Sequence, residues 1–135
     1  MFELKVKTHF AAAHQLKMVG AKCENLHGHN WKIEVCIAGD KLNKAGVLVD
    51  FGFIKQQLSA VMQTLDHKFL NELEFFTQDN PPSSENIAVY IADKLQALIW
   101  DQDVRVSSVT AWESENAAAK YIIPPLADAV ANKSV

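Results

Sequence analysis

The chain has 135 residues, 49% hydrophobic and 21% charged, with a formal net charge of −3. That size and apolar fraction fit one folded domain with a packed core and exclude a disordered chain. The mild acidity, with no basic cluster, argues against a nucleic-acid partner, and no apolar run is long enough to span a bilayer.

In chain order, Leu4, Val6, Thr8, Phe10 and Ala12 alternate with Lys5, Lys7 and His9, which predicts a first strand. His14 falls on its Leu4, Val6 and Phe10 face, whereas His9 falls on the other. Gln15 to Glu24 is polar, contains Gly20 and reads as a loop. A second strand is expected from about His29 to Gly39. Asp40 to Gly46 reads as a turn that pairs this strand with Val47-Leu48-Val49 in an antiparallel hairpin. Asp50 is a candidate N-cap for a helix with Ile54, Leu58, Val61 and Leu65 on its buried face, reaching Asp66 and His67. A loop from Asn71 to Pro82 follows. Pro82 and Ser83 open a second helix with a stripe of Ile87, Ile91, Leu95 and Leu98, ending near Trp100. Val104 to Trp112 is rich in β-branched residues and reads as a strand, and Lys120 to Ile123 reads as a short last one, stopped by Pro124-Pro125. Residues 1–125 form one domain in this reading, and 126–135 a frayed tail. Strands grouped around two helices, without regular alternation, favour an α+β layout with an antiparallel sheet.

The densest chemistry lies in Cys23-Glu24-Asn25-Leu26-His27-Gly28-His29. Side chains alternate across a strand, so His27 and His29 share the face of Trp31, Ile33, Val35 and Ile37. With His14 on a neighbouring strand, three imidazoles could converge on one ion. Three neutral nitrogens and one open position suit a catalytic zinc. The plainer alternative is three unrelated half-buried histidines. Cys23 could be a fourth ligand, an inert thiol, or a base or nucleophile with a pKa lowered by metal and histidine. Cys36, on the face opposite Ile33 and Val35, reads as packing. The N-terminal residues show no basic region followed by an apolar block, so no secretory signal is expected. Both cysteines should then be thiols in a reducing cytoplasm.

Asp66-His67 is either a helix C-terminus favoured by the dipole or a proton-transfer pair. Glu113, in line with Val109 and Ala111, is either solvated or a bidentate acceptor for a guanine-like edge. Ser83, Ser84 and Glu85 suit a helix start, where a polar ligand could also bind.

Together, Cys23-x-x-x-His27-Gly28-His29, the upstream His14, Asp66-His67 and Trp112-Glu113 resemble the 6-pyruvoyl-tetrahydropterin synthase family, over roughly Leu4 to Pro124. The cysteine-to-histidine spacing resembles its bacterial branch, the 6-carboxy-5,6,7,8-tetrahydropterin synthases of queuosine biosynthesis. Pro82 to Tyr90 looks closer to the pyruvoyl-forming branch. The resemblance implies the tunnelling fold: a four-stranded antiparallel sheet with two helices on one face, three sheets closing a barrel, and two trimers forming a homohexamer with active sites between subunits. It implies one zinc per subunit on His14, His27 and His29, with Cys23 as catalytic thiol and Asp66 and His67 as acid-base pair. Glu113 would anchor the pterin ring, and Ser83 and Ser84 would lie near it. The implied substrate is 7,8-dihydroneopterin triphosphate. A zinc-stabilised pterin-binding module without turnover is the alternative of a different class.

Overall fold

The computed structural model describes residues 1–17 and 25–125. Cys23, most of the loop before the second strand and the tail at 126–135 lie outside the described residues.

Two long strands, β1 (Phe2–His14) and β2 (His27–Gly39), pair antiparallel along their whole length, from Phe2 opposite Gly39 to His14 opposite His27. The second strand therefore begins two residues earlier than its sequence pattern suggests, and both ligand candidates of the His-x-His pair lie inside it. Helix α1 (Phe51–Gln63) is capped by Asp50, whose carboxylate accepts from the Gly52 amide at 3.1 Å. Helix α2 (Ser84–Ile99) is capped by Ser83, whose hydroxyl oxygen accepts from Asn86 N at 3.2 Å. Strands β3 (Lys68–Phe69), β4 (Arg105–Ser114) and β5 (Ala117–Ile122) complete a sheet in the order β3-β1-β2-β4-β5.

The sheet thus has five strands and is mixed, not four and antiparallel as expected. The additional strand is the two-residue β3, which pairs parallel with β1 at Ala12 and Ala13. Its two residues carry no periodicity that a sequence reading could detect. The other three pairings, β1 with β2, β2 with β4 and β4 with β5, are antiparallel.

Val47-Leu48-Val49 is not a strand. Asn43 uses up its backbone: the Asn43 amide donates to Val47 O at 2.9 Å, and Asn43 Oδ1 accepts from the amides of Ala45 and Val47. Gly46, at φ 80°, closes this loop, in a region that costs glycine nothing. Leu48 and Val49 are buried instead as plugs. Leu48 packs so tightly on Gly39 that a Cβ there would lie 2.7 Å from Leu48 Cδ1.

The core lies between the helices and one sheet face. Phe10, Trp31, Ile33, Val35, Ile37, Val109 and Ala111 come from the strands, and Ile54, Leu58, Val61, Ile87, Ile91 and Leu95 from the helices. Leu98 is 42% exposed and Ile99 is fully buried, so the α2 stripe ends on Ile99. The i, i+4 step from Leu95 reaches residue 99, and that step wins over i+3. Among the described residues, no helix is long and apolar enough to cross a membrane.

Candidate metal centre and active site

The full pairing of β1 with β2 sets His14 directly across from His27, and alternation returns His29 to the same face. The ring centroids lie 4.7 Å (His14–His27), 4.5 Å (His27–His29) and 5.3 Å (His14–His29) apart. Trp31 forms the floor, edge-on to His14 at 5.1 Å and to His29 at 5.4 Å. His14 is fully buried, and the other two are partly exposed.

Hydrogen bonds fix two of the rings. His14 Nδ1 lies 2.7 Å from the Pro82 carbonyl, and His27 Nδ1 lies 2.7 Å from the Asn25 carbonyl. A ring nitrogen facing a carbonyl must carry the proton, so Nε2 of each neutral ring is a bare acceptor. Those two Nε2 atoms lie 3.1 Å apart. Two lone pairs at that distance repel unless a cation sits between them. His29 Nε2 is buried and faces the Glu113 carboxylate.

Glu113 completes the group. Its Oε1 lies 2.9 Å from His29 Nε2, 3.3 Å from His14 Nε2 and 3.7 Å from His27 Nε2. The four donor atoms lie within 4.8 Å of one another, close enough to be gathered on one metal ion. Nitrogen-rich donors, with outward N–H groups held by carbonyls, match the way protein metal sites orient imidazoles. His29 is held below its ordinary pKa, mainly by burial and then by repulsion from His27 and His14, which together outweigh the raising effect of Glu113. A neutral ring is the form that binds metal.

Asp66 and His67 lie outside this cluster. The chain leaves α1 at Gln63 and turns through residues 64–67, so His67 is not in the helix's last turn and the dipole does not account for it. Asp66 Oδ1 accepts from Ala11 N at 2.9 Å, and Asp66 Oδ2 meets His67 Nδ1 at 2.9 Å. The Ala11 amide, ahead of His67, holds the Asp66 carboxyl below its ordinary pKa. His67 adopts φ 58°, rare for a side chain of its size, and its amide donates to Ala11 O at 2.6 Å. Its ring is 82% exposed.

Ser83 and Ser84 stand at the start of α2, beside the Pro82 carbonyl that orients His14. Cys23 lies outside the described residues. A cleft of about 1070 Å³ opens beside the metal centre, lined by Lys7, Thr8, His9, Asn30, Lys32, Trp112, Glu113, Ser114 and Glu115.

Sequence reasoning did not identify three elements of the site. The Pro82 and Asn25 carbonyls leave no signal, since every residue has one. Asn71 clamps the backbone just after His14, accepting from Gln15 N at 2.9 Å and donating to Gln15 O at 2.8 Å. The sequence reading leaves Glu113 either solvated or a bidentate acceptor; the structure sets it against the three imidazoles, the face that its position in line with Val109 and Ala111 shares.

The chain matches the family model described as 6-pyruvoyl tetrahydropterin synthase over residues 3–123. It is 36% identical over 102 residues to the 6-carboxy-5,6,7,8-tetrahydropterin synthase of Bacillus subtilis, which covers 73% of this chain and 68% of that relative. It is 35% identical over 104 residues to a dihydroneopterin monophosphate aldolase of Pyrococcus furiosus, covering 77% of this chain and 82% of that one. The structure of the Caenorhabditis elegans 6-pyruvoyl tetrahydropterin synthase superposes with a TM-score of 0.80 at 27% identity, over 91% of this chain and 96% of that one.

Proposed function

Because the chain belongs to the 6-pyruvoyl tetrahydropterin synthase family, we propose that it is a 6-carboxy-5,6,7,8-tetrahydropterin synthase. It would convert 7,8-dihydroneopterin triphosphate to 6-carboxytetrahydropterin, acetaldehyde and triphosphate, in the cytoplasm and for queuosine biosynthesis. The observation that carries this reading is the convergence of His14, His27 and His29 on one point beside Glu113.

The residues present fit a zinc ion: two imidazoles are locked with Nε2 bare, and a third turns a buried Nε2 to the same point beside Glu113. Zinc held by His14, His27 and His29 would supply Lewis-acid chemistry at the substrate side chain. The protein's own groups do the rest. Glu113 accepts the amino and ring N–H groups of the pterin and fixes its orientation, with Ser83 and Ser84 beside it. Cys23, as a thiolate, takes the carbon-bound proton. Asp66 holds His67 by Nδ1, which leaves Nε2 to move a proton to or from a side-chain oxygen. Among the described residues little covers the His67 ring, which is 82% exposed. The family resemblance implies a homohexamer of two trimers, in which a neighbouring subunit would cover this pair.

Incubation with 7,8-dihydroneopterin triphosphate, followed by mass spectrometry of every product, tests the assignment. Acetaldehyde and the 6-carboxy product are expected in equal amounts. A 6-pyruvoyl product without acetaldehyde would reassign the chain to the pyruvoyl-forming branch. Turnover of dihydroneopterin monophosphate alone would align it with the Pyrococcus relative. Binding without turnover would leave a pterin-binding module.

A further inference from the structure

We propose that Glu113 is the fourth protein ligand of the substrate-free metal centre, and that it must leave the metal when the pterin enters. The inference rests on the reading of the site as a pterin enzyme and gives one carboxylate two alternating positions.

The backbone first makes this possible. On β4, Trp112 pairs with Ala118 and Ser114 with Ala117, so Glu113 is the extra residue of a β-bulge. Bulges re-aim a side chain and free it from the ladder. Here the bulge aims Glu113 at the three rings, with one oxygen within 3.7 Å of all three Nε2 atoms. The chemistry then requires a cation. Two nitrogens are bare acceptors and a carboxylate oxygen is a third, so their approach is repulsive without positive charge between them. Three nitrogens and an oxygen make a complete tetrahedral set, the closed arrangement of a site that does no chemistry.

The closed set has an exit. The Glu113 side chain is 34% exposed and also lines the adjoining cleft with Trp112 and Lys32. Bidentate recognition of the pterin's amino and ring N–H groups needs both carboxylate oxygens. An oxygen bound to metal is a weaker acceptor for it, because one of its two lone pairs and part of its charge are taken up by the ion. Seating the ring therefore draws Glu113 off the metal and opens the position that the substrate hydroxyls take. Without substrate the position is closed, which protects the centre from stray ligands.

Cobalt(II)-reconstituted protein reads the coordination directly, without turnover. Visible spectra and cobalt affinity are compared for the wild type, Glu113→Gln and Glu113→Ala, with circular dichroism to confirm folding. Even an outer-shell partner is worth about 10- to 100-fold in metal affinity. Glu113→Ala should therefore weaken cobalt binding by at least about tenfold and change the substrate-free spectrum. Adding neopterin should move the wild-type spectrum and leave that of Glu113→Ala, at matched occupancy, without the same change. Identical substrate-free spectra and affinities in wild type and variants would overturn the ligand assignment. Neopterin bound by equilibrium dialysis with no change in the wild-type spectrum would overturn the displacement. No neopterin binding at all would count against the pterin reading instead, while the substrate-free spectra would still decide whether Glu113 is a ligand.

Discussion

His67 holds a left-handed backbone conformation at φ 58°, which costs a non-glycine residue on the order of 1 kcal/mol or more. Among the described residues its imidazole makes only the exposed contact with Asp66, so little folding free energy comes back from the side chain. His67→Gly should hold thermal stability within about 1 kcal/mol while turnover falls by about a hundred- to ten-thousand-fold. A melt and an assay on one preparation check the split, and a loss of both together would make His67 a structural residue. A second residue-scale consequence follows from His29. Burial lowers its folded pKa below the ordinary 6.5, so the unfolded chain binds the proton more readily. The corresponding stability is fully present above pH 6.5 and is lost as pH falls through the lower folded value. The metal-free protein should therefore show a falling denaturant midpoint between neutral and mildly acidic pH, and His29→Gln should flatten that slope.

At the scale of elements, what was legible followed from period and caps. Alternation in β1 and β2, the Asp50 and Ser83 caps and the β-branched run of β4 each place an element within a few residues of its observed bounds. Alternation also put His14 on the apolar face of β1 and His27 and His29 on that of β2, and the pairing of His14 with His27 makes these one face. The misses have local causes. Val47-Leu48-Val49 has strand composition, but Asn43 takes the hydrogen bonds a strand would need. The two residues of β3 are too few for a pattern. The end of the α2 stripe turns on one residue, and it yields a sharp comparison: Ile99→Ala should cost about 2–5 kcal/mol as a buried deletion, and Leu98→Ala about 0.5 kcal/mol. Chemical denaturation measures both, and equal losses would place the stripe where the sequence first suggested.

For the whole molecule, the sheet leaves β3 at one edge and β5 at the other, and β5 carries Ile122 at 66% exposure. Open edges and exposed apolar residues are commonly closed by pairing between chains. Native mass spectrometry should find six copies, with trimers as the fragment on mild dissociation; a stable monomer with full activity would contradict the proposed assembly. No sequence pattern carries this information, since contacts between chains leave no periodicity of their own. Glu113 is an intermediate case: its parity with Val109 and Ala111 turns it toward the histidine face, but its approach to the three rings depends on the pairing of β2 with β4 and on the bulge, which no local pattern carries.

Metal content per chain, measured on purified wild type, Cys23→Ala and His27→Ala, bears most directly on the centre itself. One zinc per chain is expected in the wild type and in Cys23→Ala, with loss in His27→Ala. Wild-type protein that turns over without bound metal, or Cys23→Ala that loses its zinc in full, would contradict a catalytic ion held by the three imidazoles.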